Sequence, residues 1–121
     1  MNHIVAEGLL IPAGTSQVSQ AVAMEDHNGL KVHVWLIQAT GPLGGGNGLN
    51  LDVEGSVDLD NWIAPDFGFN VTVAEPAPIN QWLPATGGEP AVSFPFIRVR
   101  YRNESTEDIL LGASVTPYDR A

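Results

Sequence analysis

The chain has no cysteine. That excludes a disulfide framework and any thiolate metal site, so stability must come from packing and hydrogen bonding alone. Basic residues are also scarce. Lys and Arg total 5 against 14 Asp and Glu, a net charge of −9. Binding nucleic acid by phosphate neutralisation needs clustered basic residues, so no nucleic-acid partner is expected. An anionic membrane surface is disfavoured for the same reason. No apolar run approaches the roughly 18 residues of a transmembrane helix. The opening MNHIVAEGLLIPAG lacks a positive n-region and a long apolar core, so it does not read as a signal peptide. Synthesis and folding in the cytoplasm are expected, with cell lysis as one route to an outside role.

What is present points to strands. The 121 residues suffice for one domain, 1–121, with a single core. Thirteen Gly and nine Pro break the chain often, and only 16% of residues are charged. Frequent breaks favour short strands over helices. His3–Ile11 reads as a first strand ended by Pro12-Ala13-Gly14. Ser16–Met24 alternates, with Val18 and Val22 inward and Gln17 and Ser19 outward. Glu25–Gly29 reads as a hairpin turn, with Asn28-Gly29 suited to positive φ. In Leu30–Ala39, Leu30, Val32, Val34 and Leu36 share one face; Lys31, His33, Trp35 and Ile37 share the other. The second half of that strand is apolar on both faces, so its outer face calls for a cover.

Gly41–Gly48 reads as a flexible loop. Its GGGNG lacks the following Lys-Ser/Thr and helix of a phosphate loop. Leu49, Leu51 and Val53 then point in, and Asn50, Asp52 and Glu54 out. Phe67–Ala74 is a further alternating strand, and Glu75–Pro90 reads as a long Pro- and Gly-rich surface loop in which Ile79 and Trp82 return to the body. Ser93–Arg102 and Asp108–Thr116 close the fold around the polar turn Asn103–Glu107. The expectation is an all-β single antiparallel β-sandwich, jelly-roll-like, of about eight strands.

Two stretches carry a resemblance. Val53, Gly55, Ser56, Asp58 and Trp62 fit V-x-G-S-x-D-x-x-x-W, and Pro95, Phe96, Ile97, Arg98 and Val99 fit P-[FY]-I-R-V. With the start GLLIPAGTSQVSQAV, this resembles small β-sandwich virion and decoration proteins of tailed phages. The pattern is also similar to discoidin-type jelly rolls, though the chain is shorter and lacks their cysteine pair. The resemblance implies an eight-stranded sandwich and a structural role in an assembly.

Three of the five basic residues are Arg98, Arg100 and Arg102. On a strand they share one face at roughly 6.6–7 Å spacing. Such like charges need acidic partners. Asp52 and Glu54, or Glu104 and Glu107, supply them within the chain; the acidic surface of a neighbouring copy would supply them between chains. Trp35 and Ile37 form the second candidate for a subunit interface. Trp62 reads as an anchor that pins the acidic loop before it. Trp82 is the candidate for an exposed ligand contact, such as a sugar platform. Asp52, Glu54, Asp58, Asp60, Asn61 and Asp66 offer oxygens of the kind Ca²⁺ takes, but Trp62 breaks the required order, and solvated turn carboxylates are the expectation. His3, His27 and His33 lack zinc spacing. No catalytic residue, metal or cofactor is assigned. The function expected is a non-enzymatic structural subunit of a homo-oligomeric or virion-like particle, such as a capsid decoration or minor head or tail protein. Its partners are other copies and a shell or capsid protein. The alternative is a carbohydrate-binding module using Trp82.

Overall fold

A computed structural model describes residues 2–41, 46–63, 68–71, 80–83 and 94–119. They form β1 (His3–Ile11), β2 (Ser16–Val18), β3 (Val22–Ala23), β4 (Gly29–Ala39), β5 (Gly46–Ser56), β6 (Gly68–Val71), β7 (Asn80–Leu83), β8 (Phe96–Ser105) and β9 (Ile109–Tyr118). The first sheet runs β1-β9-β4-β7, and the second runs β2-β8-β5-β6 with β3 also on β8. All pairings are antiparallel. Taken as one interrupted strand, β2 and β3 bring the count from nine to eight, and the two strand orders, with β5 and β6 adjacent in one sheet, are those of a jelly roll.

The core is made by the inward halves of the alternating strands. Leu30, Val32, Val34 and Leu36 of β4 face Leu49, Leu51 and Val53 of β5 and Ile97, Val99 and Tyr101 of β8, all of them buried. The residues between them point to the opposite, outer face, as the pleat of a strand requires. Burial of an apolar side chain is worth about 1.5–3 kcal/mol, so this alternation fixes the register. Slipping any of these strands by one residue would turn its apolar set to water.

Tyr101 and Asn103 tie the sheets together along one side. The Tyr101 hydroxyl donates to Val5 O at 3.2 Å, and Asn103 Nδ2 donates to Ile11 O at 2.9 Å. Burial pushes the Tyr101 phenol above its ordinary pKa. The free edge of β1 is blunted in the same region. Gln17 Nε2 donates to Leu10 O at 2.7 Å, and Gln20 Nε2 donates to Ile4 O at 3.1 Å. These side chains occupy carbonyls that another strand would use. From His3 onward the N-terminal segment is paired with β9 in its own sheet.

Several local expectations are corrected. Ser16–Met24 is two strands, because Ser19 turns inward. Its amide donates to Val99 O at 2.8 Å and its Oγ accepts from Val99 N at 2.9 Å. The side chain replaces one rung of the ladder, the phase shifts, and Val18 becomes exposed while Val22 stays buried. The Glu25–Gly29 turn crosses between sheets and is no hairpin. Its positive φ angles fall on Glu25 (51°) and Asp26 (69°), not on Asn28-Gly29. The β8–β9 turn also crosses between sheets, and Asn103, Glu104 and Ser105 belong to β8. Trp82 lies in β7, opposite His33, within the span expected to be loop. Residues 75–79, Ile79 among them, and 84–90 of that span, 67 and 72–74 of the expected Phe67–Ala74 strand, and 42–45 of the glycine-rich loop lie outside the described residues.

Candidate functional site: two unlike outer faces

The outer face of the second sheet is an ion-pair zipper. Register sets Arg98 opposite Glu54, Arg100 opposite Asp52 and Arg102 opposite Asn50. Glu54 takes two arginines: Arg98 Nε donates to Oε1 at 2.6 Å and Arg100 Nε to Oε2 at 2.9 Å. Arg102 Nη1 donates to Glu104 Oε1 at 2.8 Å. Arg102 Nη2 donates to Asp52 Oδ1 at 3.4 Å, and its Nε stands 2.6 Å from Asp52 Oδ2 without the alignment of a hydrogen bond. Glu54 is only 8% exposed although it points outward, because the arginines cover it. That desolvation pushes its carboxyl pKa up, but the hydrogen bonds and charges of Arg100 and Arg98 outweigh it and leave it below the ordinary value. The arginine stripe is therefore paired inside the chain, with Asp52, Glu54 and Glu104. Glu107 does not join it and accepts from Thr40 Oγ1 at 2.6 Å instead.

Trp62 closes one end of the zipper. The Arg98 guanidinium carbon lies 4.3 Å from the centroid of the Trp62 ring, within cation–π range. The loop before it is tied to itself. Ser56 Oγ accepts from the amides of Asp58 (3.2 Å) and Leu59 (2.9 Å). Asp58 accepts from the amides of Asp60 (2.9 Å) and Asn61 (2.8 Å) and from Asn61 Nδ2 (2.7 Å). The Asn61 and Asp60 donors hold the Asp58 carboxyl far below the usual carboxylate range. Trp62 Nε1 donates to Leu59 O at 3.2 Å, and Ile63 and Gly55 exchange both backbone bonds. With its polar groups turned to one another, the loop shows Val57, Leu59 and Ile63 to solvent at 71%, 46% and 58% exposure. Leu59 sits at φ 68°, a costly position for a leucine. The V-x-G-S-x-D-x-x-x-W pattern is thus a loop-building device. Gly55 is needed because a Cβ there would stand 2.1 Å from the Phe94 ring. Asp66 lies outside the described residues, and among those described no group of three or more His, Asp or Glu gathers to hold a metal.

The outer face of the first sheet is apolar and nearly uncharged. Its four strands hold two charged residues, Glu7 and Lys31. Ile4, Leu10 and Ile37 are exposed at 54%, 53% and 44%. Trp35 is half-buried by its own sheet, lying on Gly112 of β9, where an added Cβ would come within 2.2 Å of the ring. His33 packs beside it, with ring centroids 5.4 Å apart. Alternation turns Ile37 outward, and a β-bulge between Leu36 and Gln38 shifts the phase, so that Gln38 is exposed beside it and Ala39 is buried. At that end of the face Leu10, Gln38, Ala39, Thr40, Asp108 and Leu110 line a hollow of about 240 Å³. Trp82 takes the register position opposite His33. A second hollow, of about 530 Å³, lies elsewhere, between the Glu25–Asn28 turn and Phe94–Phe96.

The interface candidates therefore fall on opposite sides of the sandwich. Trp35 and Ile37 lie on the first sheet, Arg98, Arg100 and Arg102 on the second. They form two surfaces, not one. The Val57–Ile63 display was not singled out by sequence, although its hydrophobic side chains inside an acidic turn were the available signal.

Fold and surface define an all-β jelly-roll sandwich with one ion-paired and one apolar outer face. No family model matches the chain, and no curated protein does, so the discoidin-type pattern gains no support from sequence. Among solved structures, the chain resembles one described as the crystal structure of PBSX exported protein XepA. The TM-score is 0.59 at 15% identity, over 100% of this chain and 38% of that one. This likeness establishes the fold, and the chain spans 38% of its neighbour's length.

Proposed function

We propose that the protein is a non-enzymatic structural subunit of a phage-related assembly, of the capsid-decoration or minor head or tail kind, and that the outer face of its first sheet is the surface a neighbour covers. The observation that carries this is the placement of charge. The nine strands hold four acids (Glu7, Asp52, Glu54, Glu104) and four bases (Lys31, Arg98, Arg100, Arg102). The other ten acids and Arg120 lie outside the strands. The whole net charge of −9 is thus carried by the segments that join and flank the strands. These repel their like, while the first sheet's face brings no net charge to a contact. Its exposed Ile4, Leu10 and Ile37 supply the apolar area that contact cores use. Likeness in fold to an exported protein of phage PBSX supports the phage-related setting.

The reading is tested by size-exclusion chromatography with light scattering. The wild type should form a concentration-dependent oligomer. Replacing Ile37 and Leu10 with Lys should leave a folded monomer. A wild type that stays monomeric at high concentration and binds a glycan array would contradict the reading and favour a carbohydrate-binding module.

A further inference from the structure

Resting on that reading, we infer that the cover on the first sheet's face is the same face of a second copy, in an antiparallel two-fold pair centred near Trp35. The face is self-complementary end to end. At one end of β4 stands Lys31, exposed, its ammonium 5.2 Å from the centroid of the Tyr118 ring. At the other end lies the 240 Å³ hollow with Leu10 and Leu110 in its wall and Asp108 on its rim. Lys31 lies four residues before Trp35 on β4, and Ala39 of the hollow lies four residues after it. A two-fold axis at Trp35 therefore sets the Lys31 of each copy over the hollow of the other. A lysine fits that site well, because its aliphatic stem lies against leucines while its ammonium meets a carboxylate. The contact occurs twice, as an isologous interface requires.

Other placements on the same face lose this match. A parallel pair would bring Lys31 to Lys31 and Asp108 to Asp108, two like-charged contacts, whereas the antiparallel pair sets only the exposed Glu7, level with Gly112 and Trp35, opposite its own copy. Seating the Val57–Ile63 loop on the hollow would bring Asp58 and Asp60 up to Asp108. In the antiparallel pair Trp35, already laid flat on Gly112, supplies an aromatic at the centre, where binding energy concentrates.

The absence of cysteine allows a direct test. Lys31→Cys and Gln38→Cys are made separately at outward positions of β4 and joined with a short bismaleimide, since packed sheets stand about 10 Å apart. In the pair, the two copies of residue 31 are separated by roughly 26 Å along the strands. A mixture of the variants should therefore cross-link on the order of tenfold more than either variant alone. Lys31→Glu should weaken association on the order of tenfold, with an unchanged melting temperature at concentrations where both proteins are monomers, and Lys31→Arg should retain it. Strong cross-linking of Lys31→Cys to itself would overturn the arrangement, as would silence of all samples while light scattering shows an oligomer. A monomer by light scattering would instead remove the assembly reading on which the arrangement rests.

Discussion

One outer face of this sandwich carries six charges on its two central strands and the other almost none, yet each is close to neutral. The second sheet reaches neutrality by pairing: Arg98, Arg100 and Arg102 meet Glu54, Asp52 and Glu104 across the β5–β8 ladder. The first sheet reaches it by omission, with only Glu7 and Lys31 on four strands. The difference teaches what each face is for. Charges already matched within a chain have little left to offer a partner, and separating them would cost desolvation that a new contact only returns. A face with two charges in all, and with isoleucine, leucine and tryptophan on it, has little such cost to meet. The arginine stripe holds β5 to β8, and on the proposed reading it is the Trp35–Ile37 face that meets a neighbour.

That division can be broken from either side. The largest effect is expected at Glu54. Glu54→Ala leaves Arg98 and Arg100 adjacent without their shared acid and should lower stability by about 2–3 kcal/mol in urea unfolding, while the folded fraction still associates. Gly112→Ala comes next. Its Cβ meets the Trp35 ring, and overpacking of this kind costs about 1–3 kcal/mol. Because Trp35 must lift, association should fall as well, which separates this variant from Glu54→Ala.

Acid sharpens the contrast further. The Glu54 carboxyl is depressed below its ordinary value of 4.5 in the folded chain. Its contribution is therefore complete above that ordinary value and is lost as pH falls through the lowered folded value. Urea midpoints taken from about pH 5 downward should fall for the wild type and fall less for Glu54→Gln. A smaller effect separates the faces by salt. Added salt should strengthen association through the apolar face, because with a net charge of −9 on each chain the repulsion it screens outweighs the two Lys31–Asp108 contacts it also screens. An arginine-driven contact would weaken instead. The smallest stability effect is that of Ile37→Lys, expected within about 0.5 kcal/mol of wild type, although association should be lost.

Much of this was legible in the chain, for a local reason. The alternation in Leu30–Leu36, Leu49–Val53 and Ile97–Tyr101 states which side chains go inside, and the spacing of the arginines states that they share a face. That pattern offered Asp52 and Glu54 as one set of partners for the arginines, and the β5–β8 register is what selects it. Which sheet a strand joins is a long-range matter, so the turns at Glu25–Gly29 and Asn103–Glu107 read as polar turns without revealing that they cross the sandwich. Ser19 reads as an outward residue because nothing local shows that its hydroxyl will replace a backbone rung. β7 was hidden among prolines and glycines, its pairing set by β4 and not by its own four residues. The exposed loop apolars escaped notice because Asp58 and Asn61 make the segment read as solvated, whereas their polar groups are spent on one another.

Hydroxyl-radical footprinting across a concentration series tests the division of the two faces most directly. Leu10, Trp35 and Ile37 should become protected as concentration rises, while Arg98, Arg100 and Arg102 keep the same reactivity throughout. Protection that appears first on the arginine stripe, with Ile37 and Leu10 still reactive at the highest concentration, would contradict the account.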